Sequence, residues 1–535
     1  MTTEALYLFA MNLSNDNSII QRLLNPDCYE HLVEQVELLH THISWVLLAG
    51  QYAYKIKKPV KFGFLDFSDL NKRKYFCEEE LRLNRRFSPE IYLAVVPITN
   101  KNTTLKMNGN GSALEYAVKM QRFPQEARLD NMLAHHQLNP PHIDSFSQRI
   151  ANFHLTAPHA PDDSSLGAAD TVCKPVAENF EQIKQCIKEQ TMTHRIQSLS
   201  LWAKHRHQQL SPVFEQRKAL GFIRECHGDL HLANMAFIHQ QATLFDCIEF
   251  NESFRWIDVM SEIAFLCMDL DDHHCSPLAW RFLNNYLSLT GDYAGLQVFN
   301  YYLAYRAMVR AKVACLQLTQ TDLSATETKQ TQENFKDYIL LAQQYTVPRD
   351  TPLIITHGLS GSGKSTLTQA LLEKLGAIRI RSDIERKRMF GLNALSQSED
   401  HIKQNMYNEK SFQATYQHLA DMARLIISYG FPVIIDATFL KQSQRQLCQS
   451  LAGQLQVPFI ILDCQLPKHI LQKRISHRLQ QANDASEANL QILDQQIATQ
   501  EPLSDNEKPW TLTLSQQEMI KPNNVMKKIL SAITP

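Results

Sequence analysis

The chain has 535 residues, of which 44% are hydrophobic and 20% are charged. This length predicts about two to four domains with sizeable cores. The formal net charge of −1 argues against a surface built to coat nucleic acid. The start of the chain lacks the basic stretch of a signal peptide, no run of eighteen residues is apolar, and the eleven cysteines include no C-x-x-C pair. These features predict a soluble cytoplasmic protein without a membrane partner.

The first predicted elements are two strands followed by a helix. Residues 44–50 form an apolar run, and residues 53–57 alternate apolar and basic side chains with the period of a half-buried strand. This period places Lys55 and Lys57 on the same face. Residues 76–84 have a helical pattern, in which Glu80 could pair with one of these lysines. The alternative for Glu80 is an exposed position on a charged helix.

A catalytic loop is predicted at residues 227–234, H-G-D-L-H-L-A-N. The spacing between its Asp and its Asn is that of the H-x-D-x-x-x-x-N loop of kinase-fold phosphotransferases. Asp229 fits the base that accepts the proton of an attacking hydroxyl, and Asn234 fits a ligand of Mg²⁺. Asp246 follows the next short apolar run and fits a second Mg²⁺ ligand. The alternative is an ordinary loop that happens to contain His and Asp.

The H-G-D-L-H-x-x-N form of this loop, with the segment E-L-R-L-N that begins at Glu80, resembles the aminoglycoside and choline phosphotransferases. The resemblance implies a two-lobed protein-kinase-like fold whose small lobe ends near residue 120, and an ATP site contacted by Lys55 or Lys57. Residues 115–120 resemble the hinge strand on which adenine docks. One feature departs from the protein-kinase pattern, because Gly50 is the only glycine before the lysines and no Gly-rich loop is present.

Two polar features in the middle of the chain are predicted to be structural. Residues 271–275, D-D-H-H-C, are metal-ligand types, but adjacent residues on one element rarely face a single ion, so no metal site is predicted there. His154 has helical spacing with Ile150 and is expected to be a packed or hydrogen-bonded histidine. Farther on, Pro348 and Pro352 interrupt a helical pattern. We therefore predict a boundary between a domain at residues 1–345 and a domain at residues 346–535.

A phosphate-binding loop follows this boundary. Residues 352–356 form a short apolar strand, and the next residues match G-x-x-x-x-G-K-S before a predicted helix. Glycines allow backbone N–H groups to wrap around phosphates, and the helix N-terminus adds a positive dipole. Lys364 is expected to contact the β and γ phosphates, and the Ser365 hydroxyl to bind Mg²⁺. The predicted nucleotide-binding residues of this loop are Gly358, Ser360, Gly361, Ser362, Gly363, Lys364, Ser365 and Thr366.

Further residues fit the same chemistry. Asp436 ends an apolar run as the acid of a Walker B strand does, and would support the Mg²⁺ ion. The segment S-D-x-x-R, which contains Asp383 and Arg386, is similar to the acceptor-binding segment of gluconate kinase and the zeta-toxin relatives. The alternative is an exposed helix start. Arg474 and Arg478 lie four residues apart and resemble the lid of such kinases, or else they are ordinary surface charges of a helix.

Taken whole, the chain resembles a fused bacterial family in which an aminoglycoside-phosphotransferase-like domain precedes an AAA-type P-loop kinase domain. The fold class predicted for the first domain is α+β, and that for the second is a parallel α/β sandwich. The resemblance implies a bifunctional ATP-dependent kinase with two Mg–ATP sites and small-molecule phosphoryl acceptors. Two alternatives stay open. In one, a single domain, with the first as the candidate, is a non-catalytic nucleotide sensor or scaffold. In the other, the P-loop domain is a polynucleotide 5′-kinase.

Overall fold

The computed structural model describes residues 19–62, 65–101, 104–186, 189–319, 323–393, 406, 409–481 and 489–533. These residues form two compact units. The first contains the described residues up to His142 together with Ala157–Val172 and Phe214–Phe265, and the second contains Ile143–Thr156, Cys173–Val213 and the chain from Leu266 onward. Within the described parts of the chain, every helix is too short or too polar to cross a lipid bilayer.

The first unit contains a six-stranded antiparallel sheet. Its strand order is β1-β2-β3-β8-β6-β7. The inner face is built from alternate residues such as Trp45, Leu47, Tyr54 and Ile56, which pack in one core, as the period of two requires. The strands are β1 (Val36–His40), β2 (Ser44–Ala49), β3 (Tyr52–Lys57), β6 (Tyr92–Lys101), β7 (Thr104–Met107) and β8 (Ala113–Gln121); β4 (Lys61–Phe62) and β5 (Leu65–Asp66) form a separate pair.

One helix, α1 (Leu70–Arg85), packs against this sheet. Asp69 caps its N-terminus by accepting hydrogen bonds from two backbone N–H groups of the first turn. Its buried residues Cys77, Glu80 and Asn84 recur at spacings of three and four, so they share one face. Glu80 is therefore buried and is not on an exposed charged surface.

The predicted catalytic loop lies between short antiparallel strand pairs of the same unit. Strand β9 (Ile223–Glu225) pairs with β12 (Trp256–Asp258), and β10 (Met235–Ile238) pairs with β11 (Gln241–Leu244). The loop leaves β9 and enters β10, and Asp246 follows β11. The remaining helices before residue 350 are α2 (Leu129–Ala134), α3 (Pro140–Thr156), α4 (Ala169–Cys186), α5 (Gln190–Ala219), α6 (Glu252–Arg255), α7 (Val259–Asp272), α8 (Ser276–Thr290), α9 (Leu296–Gln317) and α10 (Ala325–Gln344).

The second unit contains a five-stranded sheet in which every pair is parallel, with the order β14-β15-β13-β16-β17. Its three central strands are almost wholly buried, which explains their continuous apolar runs. They are β13 (Leu353–His357), β14 (Ile378–Arg381), β15 (Val433–Asp436), β16 (Phe459–Cys464) and β17 (Thr511–Leu514). The accompanying helices are α11 (Lys364–Leu375), α12 (Ser382–Met389), α13 (Glu409–Ser428), α14 (Gln442–Leu455), α15 (Lys468–Gln481), α16 (Leu490–Thr499), α17 (Gln516–Met519) and α18 (Pro522–Ile533).

Helix α8 packs against the P-loop part of the second unit. The buried Asn284 side chain donates to the carbonyl of Ala377 at 3.0 Å and accepts from the backbone N–H of Arg379 at 2.7 Å. Strand β14 is an edge strand, so this amide satisfies backbone groups that would otherwise be unpaired. Arg281 adds an ion pair to Glu373 of α11 at 2.8 Å.

The antiparallel sheet with its helix and the parallel P-loop sheet confirm the predicted fold class. His154 is buried and its Nδ1 lies 2.9 Å from the Tyr286 hydroxyl, which confirms its structural role. The helical pattern ends with α10 at Gln344 and β13 begins at Leu353, on either side of the predicted boundary. The boundary at residue 346 stays a prediction, because the second compact unit includes helices from both sides of it.

Candidate active sites

Both predicted lysines of the first unit lie against one carboxylate. Glu80 Oε1 is 2.8 Å from the ammonium of Lys55, and Glu80 Oε2 is 2.8 Å from that of Lys57. The partners on the other side differ, because Lys55 contacts Asp246 whereas Lys57 contacts Glu249. Lys57 and Glu249 are almost fully buried, while the Asp246 side chain is 46% exposed. Lys55 is therefore the lysine that faces the accessible metal-ligand candidate.

The charges of this cluster stabilise one another. Burial alone disfavours a charged lysine, but Asp246 and Glu80 outweigh it and raise the pKa of Lys55. Burial likewise opposes ionisation of Glu80, yet the two lysines hold the pKa of Glu80 below its usual range. Burial is the dominant effect at Glu249, whose pKa is raised. The cluster thus keeps Lys55 and Glu80 charged around neutral pH.

Asp246 occupies a left-handed backbone conformation with φ of 66°, which is uncommon for a residue other than glycine. Two side chains fix this turn: the backbone N–H of Asp246 donates to the Tyr92 hydroxyl at 3.0 Å, and the N–H of Cys247 donates to Asn84 Oδ1 at 2.9 Å. Asn84 belongs to α1, which also carries Glu80. Strained backbone that is held by its surroundings is typical of functional sites.

Asp229 and Asn234 are brought together by the predicted catalytic loop. The Asn234 side-chain N–H group donates to Asp229 Oδ2 at 2.9 Å and to the Asp229 carbonyl at 3.0 Å. His231 Nε2 lies 3.3 Å from Asp229 Oδ2. Asp229 is 36% exposed at its side chain while Asn234 is buried. The carboxylate is therefore oriented by neighbours and still accessible.

A buried glutamate and a buried histidine stabilise the backbone of this catalytic loop through hydrogen bonds. The Glu262 carboxylate accepts hydrogen bonds from the backbone N–H groups of His227 at 2.6 Å and Gly228 at 2.9 Å. His227 Nε2 lies 2.8 Å from the Phe245 carbonyl, and its Nδ1 accepts from the Asp229 N–H at 3.3 Å. Burial lowers the pKa of His227, which favours the neutral form of the ring. Gly228 has φ of 90°, and a Cβ there would lie 2.7 Å from the Phe254 carbonyl oxygen.

In the second unit, the G-x-x-x-x-G-K-S segment links β13 to α11 as the sequence predicts. Gly358, Gly361 and Gly363 have φ values of 136°, 82° and 96°, which favour glycine. A Cβ at Gly358 would lie 2.6 Å from the Cys464 carbonyl oxygen. The Lys364 ammonium turns back over the loop and donates to the carbonyls of Gly358 and Leu359, both at 2.8 Å. Ser360 and Ser362 are buried, Ser365 is partly exposed and Thr366 is exposed.

The predicted acids of this unit lie at the same edge of the sheet as the loop. Asp436 is the last residue of β15, is buried, and accepts from the Thr368 hydroxyl of α11 at 3.1 Å. Asp383 is in the first turn of α12, directly after β14. The guanidinium of Arg386 is buried and lies 4.8 Å from the centroid of the Phe412 ring. The carboxyl ends of parallel strands are where such sheets bind ligands.

Two helices approach the phosphate-binding loop from the C-terminal side. Arg474 of α15 donates to the Ser362 carbonyl at 3.3 Å. Gln496 of α16 accepts, through Oε1, the backbone N–H of Ser360 at 2.9 Å. Arg474 therefore contacts the phosphate-binding loop, and its role as a lid arginine stays a prediction. Arg478 is in α15, but its side chain lies outside the described residues.

Several residues at these sites are absent from the sequence prediction. Glu249 and Gln496 each contact a predicted site residue, and Glu262 contacts the backbone of the predicted catalytic loop. All three are far along the chain from the residues they contact, or lie in a segment without a motif. His357 and Asp463 form another pair, with His357 Nδ1 at 2.7 Å from Asp463 Oδ1, directly before Gly358. The sequence contains one signal for this pair, because His357 directly precedes the glycine motif.

Comparisons with known proteins cover both parts of the chain. Residues 353–503 match the family model of the AAA domain. An uncharacterised protein of Mycobacterium tuberculosis (strain H37Rv) and one of Mycobacterium bovis are each 26% identical over 451 residues, covering 84% of this chain and 88% of theirs. A match of 451 residues is longer than either predicted domain, so it includes residues of both.

Two solved structures are similar to part of this chain. A choline kinase from Cryptosporidium parvum is 11% identical, with a TM-score of 0.38, and covers 62% of this chain and 96% of its own. A sugar kinase from Janibacter sp. is 19% identical, with a TM-score of 0.26, covering 35% of this chain and 97% of its own. The chain carries an AAA-type P-loop domain within residues 353–503, as its sequence predicts.

Proposed function

We propose that this chain is an ATP-dependent phosphotransferase with two Mg–ATP sites, each acting on a small-molecule acceptor. The observation that carries the proposal is the position of Lys55 between Glu80 and Asp246. A lysine paired with a helix carboxylate beside a metal-binding Asp is the arrangement that kinase-fold enzymes need for phosphoryl transfer. The family match at the P-loop supports the second site independently.

At the first site, Asp229 accepts the proton of the acceptor hydroxyl. The side-chain N–H of Asn234 and the ring of His231 orient its carboxylate, and its partial exposure leaves it open to an acceptor. Asn234 and Asp246 supply the oxygen ligands that Mg²⁺ prefers, and Lys55 contacts the phosphates. When bound, ATP would supply the phosphoryl group, and Mg²⁺ would neutralise the negative charge of its phosphates. A positioned base of this kind contributes roughly 10²–10⁴-fold to a rate.

At the second site, the backbone N–H groups of residues 358–366 and the N-terminus of α11 bind the phosphates. The fit is supported by the Gly358 contact, because the close approach of Cys464 leaves no room for a side chain there. Lys364 donates to carbonyls of the loop in the structure. When ATP binds, the Lys364 ammonium donates to the phosphates instead, and Ser365 and Asp436 support Mg²⁺. Asp383 and Arg386 bind the acceptor, and Arg474 closes over the loop.

The two reactions can be separated by variants of the full chain. The full-length protein is incubated with γ-labelled ATP, Mg²⁺ and a library of polar metabolites, and labelled products are resolved by mass. We expect Asp229→Ala to remove one product and Lys364→Ala to remove another. A wild-type protein that labels no metabolite would contradict the proposal.

A second candidate is a nucleotide sensor in the first unit, with catalysis restricted to the P-loop. The observation that favours it is the hairpin between β1 and β2, which is closed by Thr41–Ile43 without a glycine. The Thr41 N–H donates to the Ser44 carbonyl at 3.0 Å, and the Ser44 N–H donates to the Thr41 hydroxyl at 2.9 Å. In that case Asp229→Ala would leave every labelled product in place while Asp246→Ala still weakened nucleotide binding.

A further inference from the structure

Strand β14 contains a buried arginine that has no part in the sites described above. Arg379 is 6% exposed. Among the described residues it forms no ion pair with a carboxylate, and its guanidinium donates to three uncharged oxygens instead. Burial lowers the pKa of Arg379 to about 10, so the side chain keeps its charge at neutral pH. A buried charge without an opposite partner costs stability, and this one lies beside the phosphate-binding loop.

The guanidinium of Arg379 contacts the first turns of α11, directly after the phosphate-binding loop. Its Nη1 lies 3.1 Å from the Ser365 carbonyl oxygen and 3.3 Å from the Thr368 hydroxyl oxygen. Its Nη2 donates to Gln369 Oε1 at 2.8 Å. The register of β14 against β15 places Arg379 on the same face of the sheet as Asp436. Arg379 therefore links the edge strand to the helix that begins at the phosphate-binding loop.

The Thr368 hydroxyl has one proton and two acceptors nearby. Its oxygen lies 3.1 Å from Asp436 Oδ2 and 3.2 Å from the Ser365 carbonyl oxygen. A threonine inside a helix often donates to a backbone carbonyl of the preceding turn, which would leave Asp436 without this hydrogen bond. The Arg379 guanidinium can only donate, and its positive charge beside the Ser365 carbonyl disfavours a second proton there. The Thr368 proton is therefore directed to Asp436.

Asp436 is the acid assigned to Mg²⁺ at the P-loop under the proposed function. Among the described residues, Thr368 is the only one that donates a hydrogen bond to its carboxylate. Hydrogen bonds that orient a metal-supporting carboxylate typically change metal affinity by about 10–100-fold. We propose that Arg379 is a positioning residue of the Mg²⁺ site, which acts through the Thr368 hydroxyl on Asp436. This role depends on the proposed function, because it requires Mg–ATP at the P-loop.

The test measures how much Mg²⁺ strengthens nucleotide binding at the second site. Equilibrium dialysis of the full-length Asp246→Ala protein gives the Kd of a non-hydrolysable ATP analogue with EDTA and with saturating Mg²⁺. The ratio of the first Kd to the second is the metal gain. We expect Thr368→Val, which keeps the shape of the side chain without its hydroxyl, to lower the metal gain about tenfold or more. Thr368→Ser restores the hydroxyl and should keep the metal gain within about threefold of the parent value.

Arg379→Met should also lower the metal gain by about tenfold. The loss of a positive charge alone would act in the opposite direction, because a nearby cation repels Mg²⁺. In the Thr368→Val background, Arg379→Met should cause no further loss, since Arg379 acts through that hydroxyl. Arg281→Met is the matched control, because it removes another cation that contacts α11, at Glu373. It should change the metal gain less than about twofold.

The role of Arg379 would be overturned by an unchanged metal gain in Thr368→Val or by an unchanged or larger metal gain in Arg379→Met. A further loss when Arg379→Met is added to Thr368→Val would overturn it as well. If Arg379→Met does not fold, the Thr368 variants decide, because the metal gain must fall with valine and return with serine. A parent protein that binds the analogue equally well with Mg²⁺ and with EDTA would instead contradict the Mg–ATP site itself, and with it the proposed function of the second unit.

Discussion

Lys57 and Glu249 form an ion pair whose side chains are only 0% and 3% exposed. Lys57 also contacts Glu80, so it joins two buried carboxylates. Lys55, two residues away on the same face of β3, is slightly more exposed and faces Asp246. The two lysines therefore have different environments, although their sequence context is nearly the same.

Lys57→Ala should mainly affect stability. Removing one partner of a buried ion pair leaves the other charge uncompensated, which typically costs about 3–5 kcal/mol. We expect a loss of that size in the free energy of unfolding of the first unit, measured by urea denaturation of the full chain.

Lys55→Ala is the matched comparison. Glu80 keeps Lys57 as a partner in this variant, so the loss of stability should be smaller than in Lys57→Ala. Because a phosphate contact is removed, the rate of phosphoryl transfer at the first site should fall by roughly 10²–10³-fold. The opposite ranking, with Lys55→Ala the less stable and more active variant, would contradict the assignment of Lys55 to the phosphates.

Gln496→Glu should weaken ATP binding at the P-loop. The side-chain oxygen at this position lies 2.9 Å from the Ser360 N–H, so a carboxylate would place a negative charge beside the phosphates. We expect the Kd for ATP, measured in an Asp246→Ala background that isolates the second site, to rise about tenfold or more. Gln495→Glu adds the same charge at an exposed neighbouring position and should change the Kd less than about twofold. Equal effects of the two variants would rule out the proposed position of the phosphates.

His227 predicts a pH dependence of stability. Its folded-state pKa is lowered by burial, although Glu262, Asp229 and Asp246 act in the opposite direction. The neutral ring accepts from the Asp229 N–H, and protonation would replace this acceptor with a donor. The unfolded chain binds the proton more readily than the folded chain does. The contribution of the neutral His227 ring to the free energy of unfolding is therefore complete above pH 6.5, the ordinary pKa of histidine. This contribution falls as the pH is lowered toward the folded-state pKa of His227.

The measurement is the difference in unfolding free energy between the wild type and His227→Gln from pH 7.5 to pH 4.5. Glutamine does not titrate, so we expect the wild type's advantage to shrink below pH 6.5. An advantage that is constant or grows as the pH falls would show that His227 is not held neutral.

Asn284→Ala should destabilise the second unit. The substitution leaves the Ala377 carbonyl and the Arg379 N–H of the edge strand without their partners, at a cost of about 1–3 kcal/mol for each buried group. Hydrogen exchange at the Arg379 amide should accelerate accordingly. Asn285→Ala, which loses a hydrogen bond to Asp144, is the control and should leave that amide protected. Unchanged exchange at Arg379 in the Asn284 variant would contradict the role of α8 in covering β14.

Local pattern was sufficient to predict the elements that carry the sites. The period of two in residues 53–57 placed Lys55 and Lys57 on one face, and the glycine motif placed its loop between a strand and a helix. These signals depend on backbone geometry within a few residues, which sequence expresses directly.

Long-range partners could not be predicted in the same way. Glu249 lies 192 positions after Lys57 and meets it only when the chain is folded, and Gln496 lies 136 positions after Ser360. Sequence also gave no sign that Asn284 contacts β14, because one amide in a helix carries no motif. This contact argues against dividing the chain near Pro348 for experiments, since a P-loop fragment would lose α8.

We propose that one chain holds two independent nucleotide sites. Equilibrium dialysis with a non-hydrolysable ATP analogue and Mg²⁺ measures the number bound per chain. We expect two in the wild type, one in Asp246→Ala, one in Lys364→Ala and none in the double variant. A wild-type value of zero or one, or a loss of both sites in either single variant that remains folded, would contradict the account.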